Sequence, residues 1–410
     1  MSDPKKKIPI PKSLTEGQLQ PQPEMLELEQ KAGSLYIGIP KEVILQENRV
    51  ALVPPSVKSL IAHGHRVIVE QDAGKKSFYS DLEYSELGVE IAYTKEEVYK
   101  KAKVILKIAP PTLEEIELMR PNQILISPLQ LPIITEEYLI KLKNKRVIAL
   151  AMEYLQDDDG TFPLVRIMSE LAGLSAMLTA AELLTNAKGG QGVLLGGISG
   201  VPPARVVILG AGVVGEFATR TALGLGAEVR IFDNKIYKLK RIQELAGQRL
   251  YTSAINSMFL EKELAKADVV IGAIHSRSGR TPIVVSEEMV EKMKPGSVII
   301  DVSIDQGGCF ATSQVTSLDN PTFIKHGVIH YCVPNIASRV SRTASIAVSN
   351  ILTPILLQAG HSGSLEKHIF SHMGLRNGVY MYKGCLTNAY LGERFNIKST
   401  DLDLLLTSSL

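Results

Sequence analysis

Cysteine is scarce: the 410 residues hold only three, Cys309, Cys332 and Cys385. An odd count with no C-x-x-C pair excludes a disulfide framework and fits a reducing, cytoplasmic compartment. An excess of either charge is also missing, with 45 Lys plus Arg against 43 Asp plus Glu. This balance argues against a nucleic-acid or membrane-surface role and for a small-molecule partner. No stretch approaches the ~18 apolar residues of a membrane span. The start, MSDPKKKIPIPKS, is basic but lacks the apolar run of a secretory signal. No internal repeat is evident, and no residue pattern calls for a metal.

What is present is organised around Arg205 to Asp233, RVVILGAGVVGEFATRTALGLGAEVRIFD. Val206 to Leu209 read as a short buried strand, and Gly210, Gly212 and Gly215 follow in G-x-G-x-x-G spacing. Gly210 permits a tight turn, Gly212 lets backbone approach a pyrophosphate, and Gly215 lets the helix lie close on the strand. A second strand, Glu228 to Phe232, ends at Asp233, about ~20 residues on, where an acid meets a ribose 2′-hydroxyl. The unit predicts a dinucleotide site. A structural βαβ turn without ligand is the alternative.

A chain of this length exceeds the ~250 to 300 residues at which single cores stop growing, so two domains are expected. Residues 1–34 read as an appended segment with helical spacing in EMLELEQKAG. From Leu35 onward, apolar strands alternate with loops and helical stretches, which predicts a parallel sheet with helices on both faces. Ligands lie at the carboxyl ends of such strands, so Arg49, Lys107 and Gln130 are expected to point toward one cleft edge. An ordinary surface or capping role is the competing reading for each. Pro163 to Thr185 has helical spacing long enough to link two domains. The glycine-dense run Gly189 to Ala204 reads as a flexible link or a close approach to ligand. Asp305 lies on a glycine-flanked loop just past a strand, beside the presumed nicotinamide, and an Asx-type turn residue is its bland reading.

Several segments together carry a resemblance: GIPKE with ENRVAL, GVPPARVVILGAGVVG, KPGSVIIDV with IDQGGC, and the PTF to YCVPN region. On these the sequence resembles the alanine dehydrogenase family, which shares its fold with the nucleotide-binding component of transhydrogenase, from Gly38 to about Tyr382. The resemblance implies an α/β fold of two Rossmann-like lobes, the NAD lobe (164–340) inserted between the two parts of the substrate lobe (35–163 and 341–410). It also implies NAD, a homohexamer, and oxidative deamination of L-alanine to pyruvate and ammonia.

Residue by residue, Arg49 matches the arginine that binds the substrate carboxylate, and Asp305 and Asn335 match the catalytic-site acid and its neighbouring asparagine. Ser169, Asp233 and Lys238 match cofactor contacts, as do the turn residues Gly210, Gly212, Val213, Val214 and Gly215 and the strand-end pair Ala273 and Ile274. Asp305 and Asn335 border the cofactor too. The chain departs from the family elsewhere. The substrate-contacting lysine aligns with Ala109, leaving only Lys107; the active-site histidine aligns with Gln130; and HSRSG, His275 to Gly279, replaces the usual V-P-G-A-K loop. Glutamine can donate or accept hydrogen bonds but cannot exchange a proton near neutral pH. Losing a charged donor aimed at developing charge costs ~2 to 4 kcal/mol, a rate factor of about 30 to 1000. A dehydrogenase for another amino or 2-oxo acid, saccharopine-like for example, and a non-catalytic, transhydrogenase-like NAD-binding subunit are the alternatives.

Overall fold

The structure, a computed structural model, describes residues 33–44, 46–131, 133–276 and 279–407. The helical stretch expected before residue 33 lies outside these. Two sheets organise the chain. The first takes β1 (Tyr36–Ile39), β2 (Arg66–Glu70), β3 (Glu90–Ala92), β4 (Val104–Leu106), β5 (Ile124–Ser127) and β6 (Ile148–Ala151). The chain then builds a second sheet from β7 (Arg205–Leu209), β8 (Glu228–Phe232), β9 (Tyr251–Ser253), β10 (Val269–Gly272), β11 (Val298–Asp301), β12 (Thr322–Lys325) and β13 (Val328–Tyr331). It finally returns to the first sheet with β14 (Val379–Tyr382) and β15 (Cys385–Leu386). The strand orders are β15-β14-β6-β5-β4-β1-β2-β3 and β12-β13-β11-β10-β7-β8-β9. Most pairs are parallel, and β12 and β14 add antiparallel edges. Central strands such as β5, β6, β10 and β11 are buried along their whole length. Helices therefore cover both faces, which is why these strands read as unbroken apolar runs.

Two long helices, Pro163–Leu183 and Ser341–His361, carry the chain from one lobe to the other and back. Proline at the first position starts the former, where its missing N–H costs nothing. Gly173 lets this helix press onto the helix Val213–Gly224: a Cβ there would lie 2.5 Å from the Val214 carbonyl oxygen. The first long helix and the helical stretch Ile336–His361 that contains the second are apolar enough to cross a membrane by length and composition, with mean hydropathy 1.3. This corrects the expectation that no stretch comes near a span. Their apolar faces instead pack into the two lobes, with Val348, Leu352 and Leu356 in the first core and Ala172, Ala176 and Ala180 in the second.

The glycine-dense run packs closely against helix ends. A Cβ on Gly190 would sit 2.3 Å from the Leu183 carbonyl oxygen, and one on Gly196 would sit 2.3 Å from that of Leu225. The run wraps the C-terminal ends of two helices, and its glycines admit those backbones.

Candidate active site

Because β1, β4, β5 and β6 are parallel neighbours, the loops at their carboxyl ends lie side by side. These loops carry Glu42 to Arg49, Lys107 to Ala109, Leu129 to Gln130, and Glu153. In the second sheet β7, β10, β11 and β13 are likewise parallel neighbours, and their carboxyl ends carry Gly210 to Gly212, Ala273 to Ser276, Val302 to Gln306, and Asn335. Strand order reverses at β7, the switch point at which open α/β sheets bind ligands. The two carboxyl edges meet.

The meeting point is Arg49. Its Nε and Nη2 donate to Glu47 at 2.7 and 2.6 Å, and Nη2 also donates to Asn335 Oδ1 at 2.7 Å. Asn335 Nδ2 returns a bond to Glu47 Oε2 at 2.7 Å, while its backbone N–H donates to Asp305 Oδ1 at 3.1 Å. Met168, from the linking helix, takes the remaining side: Nη1 lies 2.9 Å from its sulfur. Asn335 adopts φ 58, the left-handed region that asparagine tolerates better than most residues. Arg49, Asn335 and Asp305 are thus brought into one network spanning both lobes.

Electrostatics follow from this geometry. Burial works to raise the Glu47 carboxyl, but the charge and hydrogen bonds of Arg49, with the Asn335 amide, outweigh it and hold it below the ordinary value. Arg49 is only 6% exposed; burial works against its charge, and Glu47 more than compensates. Asp305 behaves differently. It is open to the cleft, yet the surrounding protein displaces so much water that its carboxyl is pushed up to about 6, despite the Asn335 N–H and the Arg49 charge. An acid with that value changes protonation near physiological pH, as a proton-handling group requires.

The expectation for Lys107 needs correction. Lys107 does not face the cleft: it is fully buried, with its ammonium 2.9 Å from Glu42 and 3.0 Å from Glu115. Those two carboxylates outweigh the burial that would strip its charge, and they turn the side chain inward. A substrate contact through Lys107 is therefore not what the geometry offers. Ala109 is also fully buried. The arginine itself has its Nε–Nη2 edge filled by Glu47 and its Nη1 against the Met168 sulfur, so a ligand reaches the guanidinium at Nη1 by displacing that weak sulfur contact. Gln130 stands at the expected edge, half-buried, with φ 48.

The Gly210 to Gly215 turn has the backbone geometry that its glycine spacing predicts. Gly210 has φ +107 and a Cβ there would meet the Ala273 carbonyl oxygen at 2.3 Å; one on Gly215 would meet the Gly210 carbonyl oxygen at 1.9 Å. At Gly212 nothing lies within 4 Å of such a Cβ, and no side chain caps the helix that starts there. The turn thus offers open space and uncapped N–H groups, the features an anion needs. Asp233 accepts from the backbone N–H of Ala211 at 2.8 Å and of Lys235 at 2.7 Å, tying the acid to the turn. Val213 and Val214 are half-buried beside it, and Lys238 is half-buried one helical turn on from Asp233. Ser169 donates to the Val165 carbonyl and lies one turn before Gly173, on the face packed against Val214. Ile274 is tied to the loop of Asp305 by its N–H, which donates to Ser303 Oγ at 2.9 Å. Of the HSRSG loop, positions 277 and 278 lie outside the described residues.

The family profile "Alanine dehydrogenase/PNT, N-terminal domain" matches residues 38–172 and "Alanine dehydrogenase/PNT, C-terminal domain" matches residues 176–389. The chain belongs to the alanine dehydrogenase/PNT family. It is 39% identical to a protein named alanine dehydrogenase from Methanococcus maripaludis over 368 residues, covering 89% of this chain and 98% of the relative. It is also 39% identical to alanine dehydrogenase 2 of Staphylococcus aureus (strain USA300), over 89% of this chain and 97% of the relative. A solved L-alanine dehydrogenase superposes with TM-score 0.83 at 35% identity, covering 88% of this chain and 99% of that one. A transhydrogenase from Sinorhizobium meliloti superposes with TM-score 0.74 at 26% identity, over 87% and 99%. Both have the α/β architecture of two Rossmann-like lobes described above. Family membership and the Rossmann-like second lobe imply a nicotinamide cofactor, which the Gly210 to Gly215 turn fits.

Sequence reasoning missed Glu47, Met168, Ser303 and Glu153. Glu47 had a signal, an acid two positions from the key arginine. Glu153 lies in MEYLQ just after a buried strand and had none.

Proposed function

We propose that this protein is an NAD-dependent alanine dehydrogenase, interconverting L-alanine with pyruvate and ammonia. The observation that carries the reading is the Arg49–Asn335–Asp305 network, because it sets a carboxylate-binding cation and a proton acceptor of suitable strength in one inter-lobe cleft. The Nη1 edge of Arg49 takes the substrate carboxylate in place of its weak contact with the Met168 sulfur. A nicotinamide held at the Gly210 to Gly215 turn would supply the hydride acceptor for the substrate Cα, and the protein's part there is mainly alignment. Asp305 then accepts a proton as water adds to the resulting iminium carbon, and gives a proton back as ammonia departs. Asn335 keeps Arg49 and Asp305 in register.

NAD rather than NADP is favoured by Asp233, whose carboxylate would repel a 2′-phosphate. A homohexamer and a cytoplasmic location belong to the same proposal. Exposed apolar residues on the linking helix and the glycine-rich run, Leu174, Leu178, Leu194, Ile198 and Val201, support assembly with further copies. Three free cysteines support a reducing compartment.

The test is a panel of amino acids with NAD, and of 2-oxo acids with NADH and ammonia. Turnover highest with alanine and pyruvate is expected. Turnover confined to a different acid would move the substrate assignment while leaving the chemistry, and no turnover with any would leave a cofactor-binding subunit.

A further inference from the structure

Gln130 is the side chain that occupies the catalytic-histidine position of the family, and it does so on an unusual backbone. Its φ of 48 is sparsely populated for a residue with a Cβ and persists only where the surroundings impose it. One restraint is local: its carbonyl accepts from the Ile133 N–H at 3.0 Å. The other comes from a different strand end. Glu153 accepts from the Leu129 N–H at 2.8 and 3.1 Å, one to each carboxylate oxygen, and from the Gln130 N–H at 3.2 Å.

Gln130 therefore has both main-chain groups committed, while its side-chain amide makes no hydrogen bond among the described residues. Its amide is what remains to meet a ligand. Glu153 has no cation among its hydrogen-bond partners. Burial raises its carboxyl, and the forces opposing that rise are backbone N–H groups, including those of Leu129 and Gln130. A carboxylate in this position has one use that the contacts explain, which is to hold two adjacent N–H groups of one turn.

We propose that Glu153 is a positioning residue for the reaction: its carboxylate seats the Leu129–Gln130 turn so that the Gln130 amide is presented to the substrate. This rests on the dehydrogenase reading above. Glutamine at 153 would be nearly the same shape, but one of its two acceptor oxygens becomes an NH2 that opposes the backbone donors. Because Oε1 alone accepts both N–H groups in the native protein, the seat is weakened, through loss of the charge and of the Oε2 contact to Leu129, without a cavity.

The experiment uses the full chain and makes Glu153→Gln alone and in a Gln130→Ala background. In the native background kcat/KM for alanine should fall by about tenfold or more, the scale of one hydrogen bond to a charged acceptor, with NADH affinity unchanged. In the Gln130→Ala background the same change should cost less than about twofold, because Glu153 acts through Gln130. An undiminished effect there would mean a merely structural residue and overturn the proposal. Amide hydrogen exchange supplies an activity-independent reading: Leu129 and Gln130 should lose protection in Glu153→Gln while the core strands keep theirs. Unchanged protection at both would also overturn it. If native protein fails to turn over alanine, the functional reading falls while the exchange measurement still decides the seat. Should Glu153→Gln not fold, Glu153→Asp, which keeps the charge but draws it back by one methylene, is expected to give the same loss of protection.

Discussion

Arg49 Nη2 donates to Asn335 Oδ1 at 2.7 Å, joining residues 286 positions apart and from different lobes. The guanidinium is therefore aimed by the second lobe as much as by its own. Glu47 fills the opposite edge, so the positive charge is largely balanced and a substrate carboxylate depends on direct hydrogen bonds rather than on net charge. Arg49→Lys keeps the charge but supplies a point donor in place of a planar fork. It should raise KM for alanine by roughly tenfold or more, equivalent to one charged hydrogen bond, with NADH affinity unchanged. Steady-state kinetics with a fluorescence titration of NADH decide it. An unmoved KM would leave Arg49 as an inter-lobe tie only.

Asp305 gives a pH dependence whose sign can be worked out. Its carboxyl is raised from 3.8 to about 6, chiefly by burial, so the folded protein disfavours the ionised form. This group's contribution to stability is complete below the unfolded value near 3.8 and is lost as pH rises through about 6. Activity runs the other way. A proton acceptor must be ionised, so kcat/KM for deamination should rise with unit slope up to about pH 6 and level off above it. Asp305→Asn should remove both the activity and this segment of the Tm–pH curve. A parallel measurement of rate and Tm across pH 4.5 to 8, a window of about two units around that value, would show whether one group accounts for both.

The cofactor turn separates two kinds of glycine. Gly212 has open space where a Cβ would go, so Gly212→Ala should cost the fold under about 1 kcal/mol yet weaken NADH binding by tenfold or more, since the methyl would occupy room reserved for phosphate. Gly215→Ala would place a methyl 1.9 Å from the Gly210 carbonyl oxygen, and should lower stability by about 1 to 3 kcal/mol. Thermal melts and NADH titrations of the two variants distinguish these outcomes. If Gly212→Ala binds NADH normally, the phosphates do not lie there.

What the sequence revealed divides along physical lines. The dinucleotide turn was legible because strand, glycines, helix and acid are contiguous, and each glycine answers a local demand. Arg49 and Asp305 could be placed at strand ends, because alternating strands and helices fix which edge a loop occupies. Side-chain direction was another matter. Lys107 sits at the right edge but turns inward because Glu42 and Glu115, from two other elements, surround its ammonium. Glu153 is recognisable only once β5 and β6 are known to be neighbours, a pairing that no local pattern encodes. The packing of the glycine-dense run was illegible for the same reason: its partners are the ends of two helices that lie close only in the folded chain.

The last prediction concerns the two departures from the family, Ala109 and Gln130, which the structure makes unequal. Gln130 is half-buried at the cleft edge with a side-chain amide that makes no hydrogen bond among the described residues, whereas Ala109 is fully buried. Gln130→His restores a group that can exchange a proton near neutral pH, and the seat provided by Glu153 acts on the backbone and is indifferent to the side chain. It should raise alanine turnover by up to about 30-fold, the lower end of what a well-aimed polar contact contributes. Ala109→Lys must fit a long charged side chain at a position closed to solvent, at a cost of about 1 to 3 kcal/mol, and by itself should lower Tm without helping the rate. If the site is an alanine site weakened only by these two changes, the double variant should exceed Gln130→His alone once the buried lysine finds an outlet, because both contacts act on one substrate and need not be additive. Rates and melts of the three variants decide between these possibilities. A Gln130→His enzyme that loses alanine turnover would show that the amide itself is the working contact and that the cleft has been rebuilt around it.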